Sequence, residues 1–580
     1  MNRKKEERAM RKVWAMLLVG VLAWTLPGSA LAEDIWAEHG MVSSAHRLAS
    51  RAGAEILTLG GNAVDAAVAT ALALNVVEPN ASGIGGGGFM TIRLAGTGEV
   101  VVLDYRETAP GSSTKDLFAS EQSKAEKWSI SGGKSVGVPG WLKGMWTALE
   151  QYGTMTFAQV AAPAIRLAEE GFAVHPMQTG IIQDELERLM AYNDPATLPF
   201  LDEGLPLAAG KILKQPALAK TFRLIAKKGP DVLYGGPLGE AVVAAVNKAG
   251  GAMTLDDLKH YKMEVRKPVS GTYRGYTIFS VPPASSGGTH IIQLLNIMEN
   301  FPVKQMGPND AKTLHVLAEA LKMVYADRGA YMADTAFVDV PLTGLSSKAY
   351  AKKLAEKINM KSVMKEVKAD DPKPFAEEKT VSYLGGDPQE RISTSHFSVA
   401  DAQGNIVAST NTINYFFGSA VFVPEYGFML NDEMDDFSTN PESVNAPEPG
   451  KRPLSSMSPT LVIDPSGRPF MTLGAAGATR IISAVAQIIM NTVDFGMTMD
   501  EAIEQVRIFN TVSGGKAGKL MYEKGMTPGT IGYLQLLGHD VEEKDKSGYF
   551  GTAQGILFHA GKNMMDGGAD SRRLGVPVGY

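Results

Sequence analysis

The chain contains no cysteine, which excludes disulfides, thiolate metal sites and a cysteine nucleophile. Its nine histidines show no H-x-x-x-H or H-E-x-x-H spacing, so no zinc site is expected. An excess of basic charge is also missing. The 580 residues carry a net charge of −6, and without the first 32 they hold 50 basic and 60 acidic side chains. Such a chain has no electrostatic footprint for nucleic acid or an anionic membrane. Long apolar runs are lacking after the N-terminus, where a second membrane crossing would need roughly 18 uncharged apolar residues. The one apolar run, Val13 to Leu26, follows Arg3, Lys4, Lys5, Arg8, Arg11 and Lys12 and precedes Ala30-Leu31-Ala32. That order predicts an export signal over 1–32, a mature chain starting at Glu33, and a periplasmic or secreted product with no membrane attachment after cleavage.

With 44% hydrophobic residues, the remainder can bury a large core. Ala45 to Leu59 reads as an amphipathic helix stopped by Gly60-Gly61, and Asn62 can cap a second helix, Ala63 to Val77, that is apolar nearly all round and therefore buried. Gly83, Gly85 and Gly88 match G-x-G-x-x-G, but a helix precedes them and a strand follows, the reverse of a dinucleotide-binding turn. These glycines instead let backbones approach closely. Arg106 ends a strand from Val100 to Tyr105, where it is either a fork for a carboxylate or a surface ion pair. Gly132-Gly133-Lys134-Ser135 fails as a phosphate loop because Trp128 stands where the first glycine belongs. Thr156, Thr254 and Thr498 mark helix starts. Another strand lies between Tyr273 and Ser280, and the loop from Pro282 to Gly288, which has no G-x-S-x-G elbow, leads into a helix from His290. Lys352 to Lys368 reads as a solvated helical stretch, and Asp370 to Ser393 as an exposed linker.

That linker runs into Thr394-Ser395-His396-Phe397-Ser398-Val399, which with Ile406 to Thr412 forms two strands around Gln403-Gly404-Asn405. If Asp401 pairs with Asn405, facing positions sum to 806 and Thr394 lies opposite Thr412. The pattern alone also fits an ordinary threonine-rich, half-buried strand. The adjoining linker adds a chemical option: attack of the Thr394 hydroxyl on the Ser393 carbonyl would cut the chain and free the Thr394 amine. An amine titrating near pH 7 to 8 can act as general base for its own hydroxyl. Further on, Ser455, Ser456 and Ser458 lie in a loop before a strand, Thr460 to Ile463. A strand from Phe470 to Leu473 ends in Gly474-Ala475-Ala476-Gly477-Ala478-Thr479-Arg480 before a helix, Ile481 to Asn491. Backbone N–H groups at such a turn can stabilise an oxyanion.

Several motifs occur in one order: G-G-N-A-V-D-A-A-V-A at 60, S-G-I-G-G-G-G-F-M at 82, D-Y-R-E-T-A-P at 104, T-S-H-F-S-V at 394, M-D-D-F at 434, R-P-L-S-S-M-S-P-T at 452, G-A-A-G-A-T-R at 474 and A-D-S-R-R at 569. On these motifs the chain, from about Ala45 to its end, resembles a γ-glutamyltransferase (γ-glutamyltranspeptidase) precursor of the N-terminal-nucleophile hydrolase superfamily. The resemblance implies an α+β, four-layer αββα sandwich shared by a large subunit, 33–393, and a small subunit, 394–580, paired as a heterodimer after autocleavage between Ser393 and Thr394. It implies Thr394 as nucleophile and Thr412 as its hydrogen-bond partner. Arg106, Ser455 and Ser456 would hold the substrate α-carboxylate, and Asn414, Glu433 and Asp436 the α-ammonium. Gly477 and Ala478 would form the oxyanion hole. The donor would be glutathione or another γ-glutamyl compound, the acceptor water or an amino acid or peptide, with no metal or organic cofactor.

The chain departs from the family pattern at Ala478, where a second glycine is usual, and at Glu433, where some relatives have Gln. It also has no tyrosine and no long insertion between Asp436 and Lys451, which implies an open cleft without an aromatic lid. Alternatives are a glutaryl or cephalosporin acylase, a polyglutamate depolymerase, or an uncleaved exported binding protein.

Overall fold

The computed structural model describes residues 34–376 and 393–580. The expected export signal and most of the expected linker lie outside the described residues. Fourteen strands form two seven-stranded sheets. In chain order they are β1 (Ile35–Ala37), β2 (Met41–Ser44), β3 (Gly87–Arg93), β4 (Val100–Asp104), β5 (Glu264–Arg266), β6 (Val269–Tyr273), β7 (Tyr276–Ser280), β8 (Ser395–Ala400), β9 (Ile406–Thr412), β10 (Thr460–Ile463), β11 (Pro469–Ala476), β12 (Thr552–His559), β13 (Met564–Ala569) and β14 (Val578–Gly579). One sheet runs β1-β13-β12-β11-β10-β7-β6 and the other β14-β2-β8-β9-β3-β4-β5, every neighbouring pair being antiparallel.

The sheets face each other across a small apolar layer that includes Ala400, Ile406 and Ala408 from one and Leu461, Ile556 and Met565 from the other. Helices cover both outer faces. On the β8–β9 side lie α1 (Arg47–Thr58) and α2 (Ala63–Val77). On the other side are α3 (Gly287–Met298), α4 (Ala311–Tyr331) and α5 (Arg480–Val493). This is the expected αββα sandwich of the α+β class. Alternation along β8 explains its place in the middle: Phe397 and Val399 join the helix-side core, while His396 and Ser398 point between the sheets and bond Thr410 and the Gln554 carbonyl.

Helix α2 is buried along all 15 residues, which its small side chains permit: α1 approaches so closely that a Cβ on Gly53 would lie 2.2 Å from Thr70 Oγ1. Its N-terminus is closed by a capping box between Asn62 and Asp65. A second carboxylate reaches it from the far hairpin, where Asp401 Oδ2 accepts from Ala63 N–H at 2.9 Å. Asp401 also holds its own turn through Gln403 N–H and Asn405 N–H, at 3.0 and 2.9 Å.

The strand expected between Tyr273 and Ser280 runs Tyr276–Ser280, after a turn at Arg274-Gly275, both at positive φ. Two local expectations change. The lysine-rich stretch is helical only over Lys348–Ala355, after which Asn359, Met364 and Asp370 are used to bond α4 and its neighbours. The end of the linker is not exposed: Ser393 and Thr394 are 1% and 7% accessible, because the strand they enter lies inside the sandwich.

Asp401→Ala would leave the buried Ala63 N–H and the turn N–H groups without acceptors, and about 2–4 kcal/mol of stability is the expected loss. Denaturant unfolding against Asp401→Asn, which keeps an acceptor oxygen, measures it.

Candidate active site

The β8–β9 ladder pairs Ser395 with Asn411 and His396 with Thr410, the register expected from the turn. It brings Thr394 Oγ1 to 3.0 Å from Thr412 Oγ1. Thr412 Oγ1 also accepts from Asn414 N–H at 2.8 Å, which leaves its own proton free to point at Thr394. Thr394 has φ +89°, a region a β-branched residue adopts only where its surroundings hold it. His396, one turn of pleat away, is not an alternative base: burial pushes its pKa down to about 3 and its Nδ1 faces Thr410 Oγ1 at 2.8 Å.

Beside the hydroxyl pair lies a cluster of charge. Arg106 follows β4, its backbone N–H donating to Asp104 Oδ1 at 3.1 Å and its Nε to the Pro453 carbonyl at 3.1 Å. Its two terminal nitrogens donate to Glu433 and Asp436, which share one short turn, Glu433–Asp436. Glu107 adds a third carboxylate 3.8 Å from Arg106 Nη1. Close glycine packing makes this possible: a Cβ on Gly87 would lie 2.4 Å from Glu107 Oε2, and one on Gly86 2.0 Å from the Thr412 carbonyl. Burial pushes the Glu433 carboxyl up to about 7, with Arg106 pulling it back and Asp436 adding to the rise. Burial and the neighbouring Glu433 push Glu107 well above the usual carboxylate range. Burial alone would lower the Arg106 pKa, but the three acids outweigh it and raise it.

The serine loop forms the next wall. Ser455 Oγ accepts from Met457 N–H at 3.1 Å, and the Ser455 carbonyl is held by Ser286. Ser456 Oγ accepts from Arg328 Nη2 at 3.1 Å, while Arg328 Nε donates to Ser286 Oγ at 2.9 Å. Thr394, Thr412 and the six expected contact residues, Arg106, Asn414, Glu433, Asp436, Ser455 and Ser456, all line one cavity of about 500 Å³. Ala478 lines it as well, at φ +51°. Gly477 is not among the lining residues; its carbonyl, like that of Ala478, closes the first turn of α5. The stretch after Asp436 does wall the cavity, with Phe437 and then the polar Ser438, Thr439, Asn440, Ser443 and Asn445, and it brings no tyrosine.

Sequence reasoning missed Arg328, which sits inside the long helix α4 with no local signal of a role. It also missed Glu107, next to Arg106 in the chain yet buried with both oxygens lacking hydrogen-bond partners. Spacing rules likewise missed a buried cluster of His315, Glu319 and His539, whose ligand atoms lie within 4.8 Å of one another. His315 and His539 bond each other at 2.8 Å and Lys322 Nζ lies 2.5 Å from Glu319, so an ammonium already takes the cation position there.

Residues 49–580 match the family described as Gamma-glutamyltranspeptidase. A glutathione hydrolase proenzyme of Bacillus subtilis is 40% identical over 93% of this chain and 91% of its own length. An acylase ACY 1 proenzyme from a Pseudomonas species is 39% identical over 93% of each chain. Among solved structures, a cephalosporin acylase from Bacillus halodurans superposes with a TM-score of 0.84 at 28% identity, over 96% of this chain and 98% of that one.

Arg106→Ala would strand Glu107 and Glu433 without a cation, at a cost of about 3–5 kcal/mol. Without its cation each carboxyl holds its proton more tightly still, so this penalty is largest near about pH 9, where the stranded acids are driven to ionise, and has mostly gone by about pH 6, where they take up protons. Melting curves of the variant and wild type at the two pH values check both the size and the sign.

Proposed function

The chain belongs to the γ-glutamyltranspeptidase family, and from that premise we propose that it is an exported glutathione hydrolase and γ-glutamyltransferase, made as a precursor and activated by its own Thr394. One observation carries the reading: the Thr394 and Thr412 hydroxyls, 3.0 Å apart, share a cavity with a guanidinium and a group of carboxylates.

In the precursor, Thr394 Oγ attacks the Ser393 carbonyl carbon and its proton passes to the Thr394 nitrogen. The C–N bond breaks as the ester forms, and water then hydrolyses the ester to a Ser393 carboxylate and a free hydroxyl. The products are a large subunit, 33–393, and a small subunit, 394–580, that pair as a heterodimer. The freed α-amine takes the hydroxyl proton during each later attack, and Thr412 donates to Thr394 Oγ as that proton leaves. Arg106 with Ser455 and Ser456 holds the donor's α-carboxylate; Glu433, Asp436 and Asn414 hold its α-ammonium. Backbone N–H groups of Gly477 and Ala478 stabilise the tetrahedral oxyanion. The amine leaves, and water or an acceptor amino acid or peptide takes the γ-glutamyl group from the ester. The reaction needs no metal or organic cofactor.

The charges favour this donor. Arg106 pairs with Glu433 and Asp436, so an amino-acid zwitterion exchanges partners at both ends and leaves no buried charge alone. A second reading, a cephalosporin or glutaryl acylase, is favoured by the likeness to the Bacillus halodurans enzyme. A glutaryl group, however, carries a carboxylate without an ammonium, and would leave the acids unmatched. The product acts in the periplasm or outside the cell.

Purified protein is expected to run as two fragments, the smaller beginning at Thr394, whereas Thr394→Ala stays a single chain without hydrolase activity. A gel and N-terminal sequencing decide it, and a small fragment starting elsewhere would refute the mechanism. With γ-glutamyl and glutaryl anilides, the first is expected to turn over faster. Because Glu433 binds the ammonium only when ionised, KM for the γ-glutamyl anilide is expected to rise as pH falls below about 7, and to lose much of that rise in Glu433→Gln.

A further inference from the structure

Thr394 sits where sheet pairing runs out. β2 pairs with β8 from Ser44 opposite Phe397 to Met41 opposite Ala400, and the chain then turns into α1 at Arg47. Among the described residues no strand backbone lies opposite Thr394 on that side. The C-terminal tail fills the gap: Arg47 N–H donates to the Leu574 carbonyl at 3.2 Å, and the residue before it, Arg573, donates from Nη1 to the Thr394 carbonyl. The tail is itself fixed by Arg572, which bonds Asp570 at 2.9 Å and pairs with Glu523. The Arg573 side chain is buried. Among the described residues its one ion-pair carboxylate, Glu78, lies 3.8 Å away and accepts the Ser395 hydroxyl at 2.6 Å. The second terminal nitrogen of Arg573 is buried without a hydrogen-bond partner.

We propose that Arg573 is a positioning residue for the nucleophile: it fixes the Thr394 carbonyl so that the hydroxyl meets Thr412, and its charge holds the freed α-amine in the neutral, proton-accepting form. This rests on Thr394 being the nucleophile. Two tethers, Thr412 on the hydroxyl and Arg573 on the carbonyl, hold a residue whose backbone conformation is unfavourable by itself. After the cut, the amine is one residue's length from the guanidinium, and a neighbouring cation disfavours the ammonium form, while Glu78 opposes it. The other charged groups facing Thr394 lie across the cavity: Arg106, Arg328, Glu433, Asp435 and Asp436. His396 on its own strand and His46, beside Glu78, are both held towards the neutral form by burial.

The test compares wild type, Arg573→Met, Arg573→Lys and Glu78→Gln for self-cleavage on gels, for kcat and KM with a γ-glutamyl anilide, and for the acidic limb of kcat against pH. Arg573→Met is expected to slow cleavage and lower kcat by about tenfold or more with KM within about twofold. Its acidic limb should move to higher pH by about half a unit or more, since the amine then holds its proton more tightly. Arg573→Lys, which keeps the charge, should restore the limb and part of kcat. Glu78→Gln should move the limb the opposite way, to lower pH. A purely structural role would lower rates in these variants without opposed shifts. If wild type is cut before Thr394 and turns over, yet Arg573→Met matches it in cleavage and limb, the role of Arg573 is overturned and the nucleophile reading stands. If wild type is never cut there, the parent reading falls and takes this one with it. Should Arg573→Met fail to fold, Glu78→Gln decides: an unmoved limb, or one moved to higher pH, overturns the proposal.

Discussion

The cleft depends on the contact by which Asp401 ties the β8–β9 turn to the first N–H of a fully buried helix. Side chains alternate along a strand, so a slip of one residue would send every side chain of one strand to the opposite face and part the two threonines. Asp401 prevents that slip from both directions, by bonding its own turn and by anchoring it to α2. The hydroxyl pair therefore owes its 3.0 Å separation to a carboxylate at the far end of the hairpin.

The charged wall follows the opposite logic. Arg106 faces three carboxylates, two of them buried, and burial drives the Glu433 and Glu107 carboxyls towards their protonated forms. No fold selected for stability alone would keep such a group, because a buried ion pair rarely outweighs its desolvation. Its excess of acid over base is a preorganised demand for one further cation. The mainly polar wall from Ser438 to Asn445 adds no apolar cover to that demand.

Much of this was legible in the sequence where a local rule sets the outcome. Turn composition fixes a three-residue loop, period two fixes the faces, and together they bring Thr394 to Thr412. Capping patterns located Asn62, Thr156 and Thr498 correctly. The motif order gave the fold and the expected neighbours of Thr394, which the shared cavity brings together apart from Gly477. What stayed hidden depends on contacts between distant parts of the chain. Arg328 gains a role only because α4 packs behind Ser286 and Ser456. His539 joins His315 from 224 residues away, which no spacing rule can see. Ser393 looked exposed because its flanking composition is polar, yet the next strand lies in the middle of a sheet.

Both sheets are woven from chain on either side of the Ser393–Thr394 bond. In one, β2 lies between β14 and β8, and β9 between β8 and β3; in the other, β13 is flanked by β1 and β12, and β10 by β7 and β11. A break at that bond would separate nothing, since backbone ladders cross the divide in several places. For such a cut topology would set the order of events: the chain would have to be folded whole first. Two pieces so made would behave as one cooperative body with an extra pair of ends, and once unfolded they would have to find many inter-chain ladders with no covalent link to keep them in register.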